Sequence, residues 1–206
     1  MPSDSIDRSD QLGETHPVYA TSLNNLAQVY QHLGKYDLAE PLMVKAVEID
    51  KNALGDESPD YAIDLNNLAT LYQKMGRFDL ALPLMLRATE IDRINLGEDN
   101  PDYAIILNNL AQLYQDMGIY EKAEPLLLQS TEIDRLIYGE EHPVMAIRYG
   151  NLGLYYLEYG RYEEAEQLLL RAREIDKASL GEDHPNYARD LNNLAAENPS
   201  REMMAA

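Results

Sequence analysis

A repeat of fixed length constrains this chain more than any other feature. Proline falls at positions 17, 59, 101, 143 and 185, and every interval is 42 residues. Glycine keeps the same step at 13, 55, 97, 139 and 181, and again at 34, 76, 118 and 160. Residues 59–100 and 101–142 agree at 26 of 42 positions, including PDYAI, LNNLA, LYQ and TEIDR, which chance does not supply over that length. Such a chain folds as a row of equal units, each packing on its neighbours, instead of around one central core.

Inside a unit the apolar spacing is helical. Ala62, Leu65, Leu68, Ala69 and Tyr72 share one face of a first helix that Gly76 ends. Leu80, Ala81, Leu84, Ala88 and Ile91 form a second stripe that runs to Leu96, where Gly97 offers a left-handed C-terminal cap. Ser58-Pro59 and Asn100-Pro101 place a capping side chain before a proline suited to the first helical turn, and His16, His142 and His184 hold that cap position in the other units. Pro41, Pro83 and Pro125 fall near the sixth residue of second helices, where each removes one backbone hydrogen bond and permits a slight bend. Small residues recur at 27, 69, 111 and 153 in first helices and at 39, 81, 123 and 165 in second helices, where helices approach closely. The prediction is all-α: antiparallel helix hairpins stacked into a right-handed superhelical solenoid.

The division follows the step: repeats at 16–57, 58–99, 100–141 and 142–183, then a half-repeat capping helix at 184–196. Asn198-Pro199 breaks the pattern, so 197–206 is expected to be a disordered tail. Residues 1–15 are expected to be partly disordered or the remnant of a preceding helix, because Ser-Ile-Asp-Arg echoes Glu-Ile-Asp-Arg; both ends suggest a segment of a longer array.

Composition limits the partners. Thirty-six acidic against seventeen basic residues give a formal charge of -19, which repels phosphate backbones and anionic lipid, so neither nucleic acid nor membrane is an expected partner. No apolar run reaches the roughly 20 residues of a membrane span, the N-terminus has no signal-peptide core, and no Cys is present, which together predict a cytoplasmic protein. Catalysis has little foothold. The four His residues are scattered, three of them at cap positions, and there is no glycine-rich phosphate loop or His-Glu-x-x-His pair; no enzyme activity, metal or cofactor is predicted. The acidic pairs Asp56-Glu57, Glu98-Asp99, Glu140-Glu141 and Glu182-Asp183 read as solvated carboxylates favoured by the helix dipole, without the ligand spacing of a calcium loop.

The pattern carried by Leu107, Leu110, Ala111, Tyr114, Gly118, Tyr120 and Ala123 resembles the tetratricopeptide repeat, and the unit length, the LNNLA block and the AEPL and LGEDHP strings look like its kinesin light chain subclass. The resemblance spans residues 16–196 and implies a protein-binding scaffold with a concave groove lined by first helices. By that pattern Asn25, Asn67, Asn109, Asn151 and Asn193 project into the groove, with Asn24, Asn66, Asn108 and Asn192 just before them. Asn is unfavourable inside a helix, so paired Asn residues need an offsetting interaction. Two are open: the amides hold the main chain of an extended peptide, as the resemblance implies, or they bond to neighbouring helices and staple the repeats.

Specificity would come from groove positions that vary along the array. These are Gln28, Thr70, Gln112 and Leu154; Gln31, Gln73, Gln115 and Leu157; and His32, Lys74, Asp116 and Glu158. The groove then turns from polar and mildly basic near the first two repeats to acidic and apolar near the fourth, which suits a peptide with a basic and an aliphatic element facing the third and fourth repeats. Kinesin light chains bind acidic peptides through a basic groove, a charge this chain lacks. The alternative reading is a structural module that self-associates as a homo-oligomer through unfinished array ends.

Overall fold

The computed structural model describes residues 13–204, and among these it contains nine α-helices and no strand. They are α1 (Pro17–His32), α2 (Tyr36–Leu54), α3 (Pro59–Lys74), α4 (Phe78–Leu96), α5 (Pro101–Asp116), α6 (Tyr120–Tyr138), α7 (Pro143–Glu158), α8 (Tyr162–Leu180) and α9 (Pro185–Met204). First helices have 16 residues and second helices 19 in every hairpin. The expected helix remnant at 1–12 lies outside the described residues.

Both ends of the first helices use chemistry written in the sequence. His16, Ser58, Asn100 and His142 each accept a hydrogen bond from the backbone N–H two residues on, at 3.2, 3.2, 2.7 and 3.3 Å, with proline following. At the other end of α1, Gly34 takes φ 69°, its N–H donates to the Gln31 carbonyl at 3.0 Å, and the Lys35 N–H reaches back to Tyr30 at 2.8 Å. That paired 5→2 and 6→1 closure needs a positive φ, which glycine adopts without a Cβ penalty. The same bonds recur one, two and three repeats later at Gly76, Gly118 and Gly160.

The second helices end differently from the sequence expectation. Gly55 has φ 92° and ψ 165°, an extended mirror-image conformation, and Gly139 and Gly181 match it. At these three ends a turn toward the next capping residue stands in place of a left-handed cap, and Gly97, where the cap was expected, likewise has a positive φ of 85°. Glycine is still required, because this region is closed to other residues. A second correction concerns α9, which continues to Met204 through Asn198-Pro199, where the sequence reading ended it and began a tail. Proline removes one hydrogen bond from a helix without having to end it, as Pro41, Pro83 and Pro125 inside α2, α4 and α6 also show.

The described residues divide into two compact units between Asn95 and Leu96. In the first, α1 packs on α2 and α2 on α3; in the second, α5 to α9 pack in sequence and α7 also touches α9. Ala20, Leu23, Ala46 and Ile49 form the core of the first hairpin, with Leu42 against it, and Met145, Ala146, Ala172 and Ile175 do the same in the fourth with Tyr149. The small-residue positions are fully buried. Met85, which the second stripe omitted, is buried, while Leu80 and Leu84 are half-buried.

Each unit carries one polar staple of the same design. Glu40 accepts from Tyr72 Oη at 3.1 Å and from Arg77 at 2.8 Å, and the Arg77 guanidinium lies 4.7 Å from the Tyr72 ring centre. Two repeats on, Glu124 accepts from Tyr156 at 3.0 Å and from Arg161 at 2.6 Å, with Arg161 4.1 Å from the Tyr156 ring. Burial, and then the Glu124 carboxylate, raise the Tyr156 phenol above its usual range. Between them, positions 82 and 119 carry Leu82 and Ile119 in place of the acid and the cation.

Two glycines in α7 make opposite predictions. A Cβ at Gly150 meets nothing within 4 Å, so Gly150→Ala should stabilise the chain by about 1 kcal/mol through helix propensity alone. A Cβ at Gly153 would lie 2.9 Å from Cγ of the buried Leu169 and 3.3 Å from the Ala165 carbonyl, so the same propensity gain is outweighed by overpacking of about 1–3 kcal/mol. Urea denaturation of the two variants should move the midpoint in opposite directions.

Candidate functional site

Each second helix ends its apolar stripe in Ile-Asp, giving Asp50, Asp92, Asp134 and Asp176. Fourteen residues after each, on the next first helix, stand Asp64, Ile106, Arg148 and Asp190. The repeat therefore sets a constant acid against a position that varies in charge. Between α6 and α7 the pair is Asp134 and Arg148, both buried, with Nε donating to Oδ2 at 2.6 Å. Between α8 and α9 it is two carboxyls, Asp176 and Asp190, and the neighbouring Arg189 donates to both, at 3.4 and 3.0 Å.

Between α2 and α3 the two carboxyls Asp50 and Asp64 are only 4% and 3% exposed. Asn24 of α1, 6% exposed, donates its Nδ2 hydrogen to Asp64 Oδ1. Burial, followed by the negative charge of Asp50, pushes the Asp64 carboxyl up to about 7, although the Asn24 hydrogen bond opposes it. Burial, and then the charge of Asp60, raise Asp50 as well. These residues line an open cleft of about 250 Å³ together with Pro17, Thr21, Asn25, Gln28, Ile63 and Asn67.

The predicted groove amides therefore differ in what they do. Asn24 is committed to Asp64, and Asn151 donates to Asn108 at 2.9 Å across the third and fourth hairpins, so these three act as staples. Asn25 and Gln28 are exposed and Asn67 half-exposed, and all three line the cleft. Asn66, Asn109, Asn193, Thr70, Gln31 and Gln73 are half-buried, while Gln115 is buried. Lys74, Asp116 and Glu158 are exposed, and Gln112 donates to Asp116 at 3.0 Å along α5. Asp50, Asp64, Arg148 and Asp190 were missed from sequence. The available signal was a charged residue at a register position that holds Ile106 in another repeat.

Removing one member of the Asp134–Arg148 pair leaves a buried charge without compensation. Arg148→Met should cost about 3–5 kcal/mol in urea denaturation, and adding Asp134→Leu should recover most of it. Asp64 binds its proton up to about pH 7 when folded, against an ordinary value of 3.8, so unfolding free energy falls as pH rises between these values and levels off above them. The melting temperature of Asp64→Asn relative to the wild type should therefore climb from pH 4 to 7 and then stay flat; a constant difference would contradict the burial argument.

Among the described residues no helix is long and apolar enough to cross a membrane, and no group of His, Cys, Asp and Glu is arranged to hold a metal ion. No curated protein matches the chain. Its fold is similar to solved structures of a Podosopora anserina kinesin light chain candidate with nearly identical TPR-like repeats, at 27% identity and TM-score 0.77 over 91% of this chain and 89% of that one. A single-residue variant of that protein, with methionine in place of a glutamine, gives 26% and 0.78 over the same shares. BtubC (BKLC) from P. vanneervenii is 26% identical with TM-score 0.76, over 90% of this chain and 74% of that one. The tetratricopeptide repeat pattern matches residues 6–52, 18–94, 60–135, 102–178 and 160–197, so the chain belongs to the tetratricopeptide repeat family, in a form like the kinesin light chain repeats.

Proposed function

We propose that the chain is a non-enzymatic scaffold that binds an extended peptide segment of a protein partner along its first helices, in the cytoplasm. Tetratricopeptide repeats generally mediate protein–protein interaction, and the observation that favours a peptide here is the cleft in the first unit. There Asn25 and Gln28 of α1 and Asn67 of α3 line one opening. Primary amides offer donor and acceptor together, which matches the alternating N–H and C=O groups of a peptide main chain that has left water. The net charge of -19 favours partners of opposite sign and argues against nucleic acid.

Peptides selected from a displayed library against the whole chain should lose at least tenfold in affinity toward an Asn25→Ala/Gln28→Ala/Asn67→Ala variant of unchanged helicity and melting. Equal affinity for wild type and variant would overturn the amide reading.

One observation favours self-association as a second reading. Leu26 and Val29 on α1 are 45% and 53% exposed, whereas their equivalents one repeat later, Leu68 and Leu71, are 5% and 0% exposed. An apolar face that is buried inside the array is thus open on α1, and a second copy stacked on it would cover it. Sedimentation should then give a concentration-dependent mass that Leu26→Glu/Val29→Glu abolishes; a monomer at all concentrations would rule this reading out.

A further inference from the structure

We propose that the cleft bounded by α1, α2 and α3 is a receptor for the guanidinium of an arginine side chain presented by a partner polypeptide, with Asp50 and Asp64 as its anionic wall. This deepens the peptide-binding reading and rests on it for the partner's class.

Among the buried acceptors in the cleft, Asn24 Oδ1 has no donor, and the carboxyls of Asp50 and Asp64 have only each other's proton to fill Asp50 Oδ1 and Asp64 Oδ2. They belong to side chains at least nine-tenths buried, and all three residues line the opening. A buried acceptor left unpaired costs roughly 1–3 kcal/mol, so the site is poised for a guest that brings N–H groups. The charged groups around it, Asp50, Asp60 and Asp64, are all acidic. A guanidinium carries five N–H donors in a planar fork and a permanent positive charge, which meets both demands at once.

The chain supplies the template. Asp50, Ile63 and Asp64 stand three repeats before Asp176, Arg189 and Asp190, residue for residue. At the later junction Arg189 bridges the two carboxyls, its Nη2 donating to Asp176 Oδ2 at 3.4 Å and to Asp190 Oδ1 at 3.0 Å, with Nε 3.3 Å from the latter, while Asp176 Oδ1 and Asp190 Oδ2 stay unpaired. At the intervening acidic junction Arg148 serves Asp134. Where α9 has its arginine, α3 has Ile63, which is more than half exposed on the rim of the cleft. The first junction keeps the two acids and lacks the internal guanidinium. A flat group on a flexible stem, entering tip first, takes the place that Arg189 takes from within.

The test is titration of the whole chain at pH 8 with N-acetyl-arginine amide, using N-acetyl-citrulline amide as the uncharged isostere, followed by the side-chain amide resonances of Asn24, Asn25 and Asn67. The arginine probe should shift these resonances and bind at least tenfold more tightly than citrulline. Ile63→Arg, which installs the internal guanidinium, should abolish the shifts while keeping the folded spectrum, and Asp64→Asn should weaken binding at least tenfold. Equal response to both probes, or undiminished binding by Ile63→Arg, would overturn the proposal. The free-residue probe needs no peptide main chain, so its failure leaves the amide reading standing.

Discussion

The fully buried alanines at 27, 39, 69, 81, 111, 123 and 165 set how closely the helices approach, and that spacing decides what every other side chain can reach. With the backbones this near, Leu and Met side chains such as Met43, Leu71, Met85 and Leu169 are fully buried between them. A hairpin made this way has apolar surface left on its flanks and covers it with the next hairpin, so stability and repetition are the same fact. The fourth hairpin shows how tight the arrangement is. Its first helix has glycine at 153 in place of alanine, and a methyl group there would run into Leu169.

Polar groups enter this packing only at the junctions, and there the repeat acts as a set of variations on one theme. A constant aspartate at the end of the second helix meets Asp64, Arg148 or Asp190 on the following first helix. Arg148 pairs with Asp134, burial pushes Asp64 up to about 7 where no arginine is present, and between α8 and α9 burial and the charge of Asp190 raise Asp176 even beside Arg189. The staples built on Glu40 and Glu124 repeat at double the unit length, one in each compact unit. Regular apolar positions thus make the scaffold, and irregular polar positions give each stretch its own chemistry.

Much of the scaffold was readable from local rules. Helix starts at His16, Ser58, Asn100 and His142, the turns at Gly34 and its equivalents, and the stripes around Leu65 and Leu107 each depend on neighbours a few residues away, so spacing alone exposes them. The extended conformation at Gly55 was less legible, because two positive-φ conformations need the same residue. The site was harder still. Asn24 and Asn25 are adjacent and chemically identical and both line the cleft, yet one is buried and held by Asp64 while the other is exposed, a difference set by the partner 40 residues away. Asp50 looked like part of a repeated motif until its spatial neighbour was known to be a second carboxyl.

We propose that the cleft between α1 and α3, with Asp50 of α2 in its wall, carries recognition, and not the later second helices or the array ends. Hydrogen–deuterium exchange of the whole chain, with and without a selected peptide, tests it directly. Protection should concentrate around Thr21 to Gln28 of α1, Ile63 to Asn67 of α3 and Asp50 of α2, with α4, α6 and α8 unchanged. Protection confined to α4, α6 and α8, or to the apolar face of α1 bearing Leu26 and Val29, would contradict it.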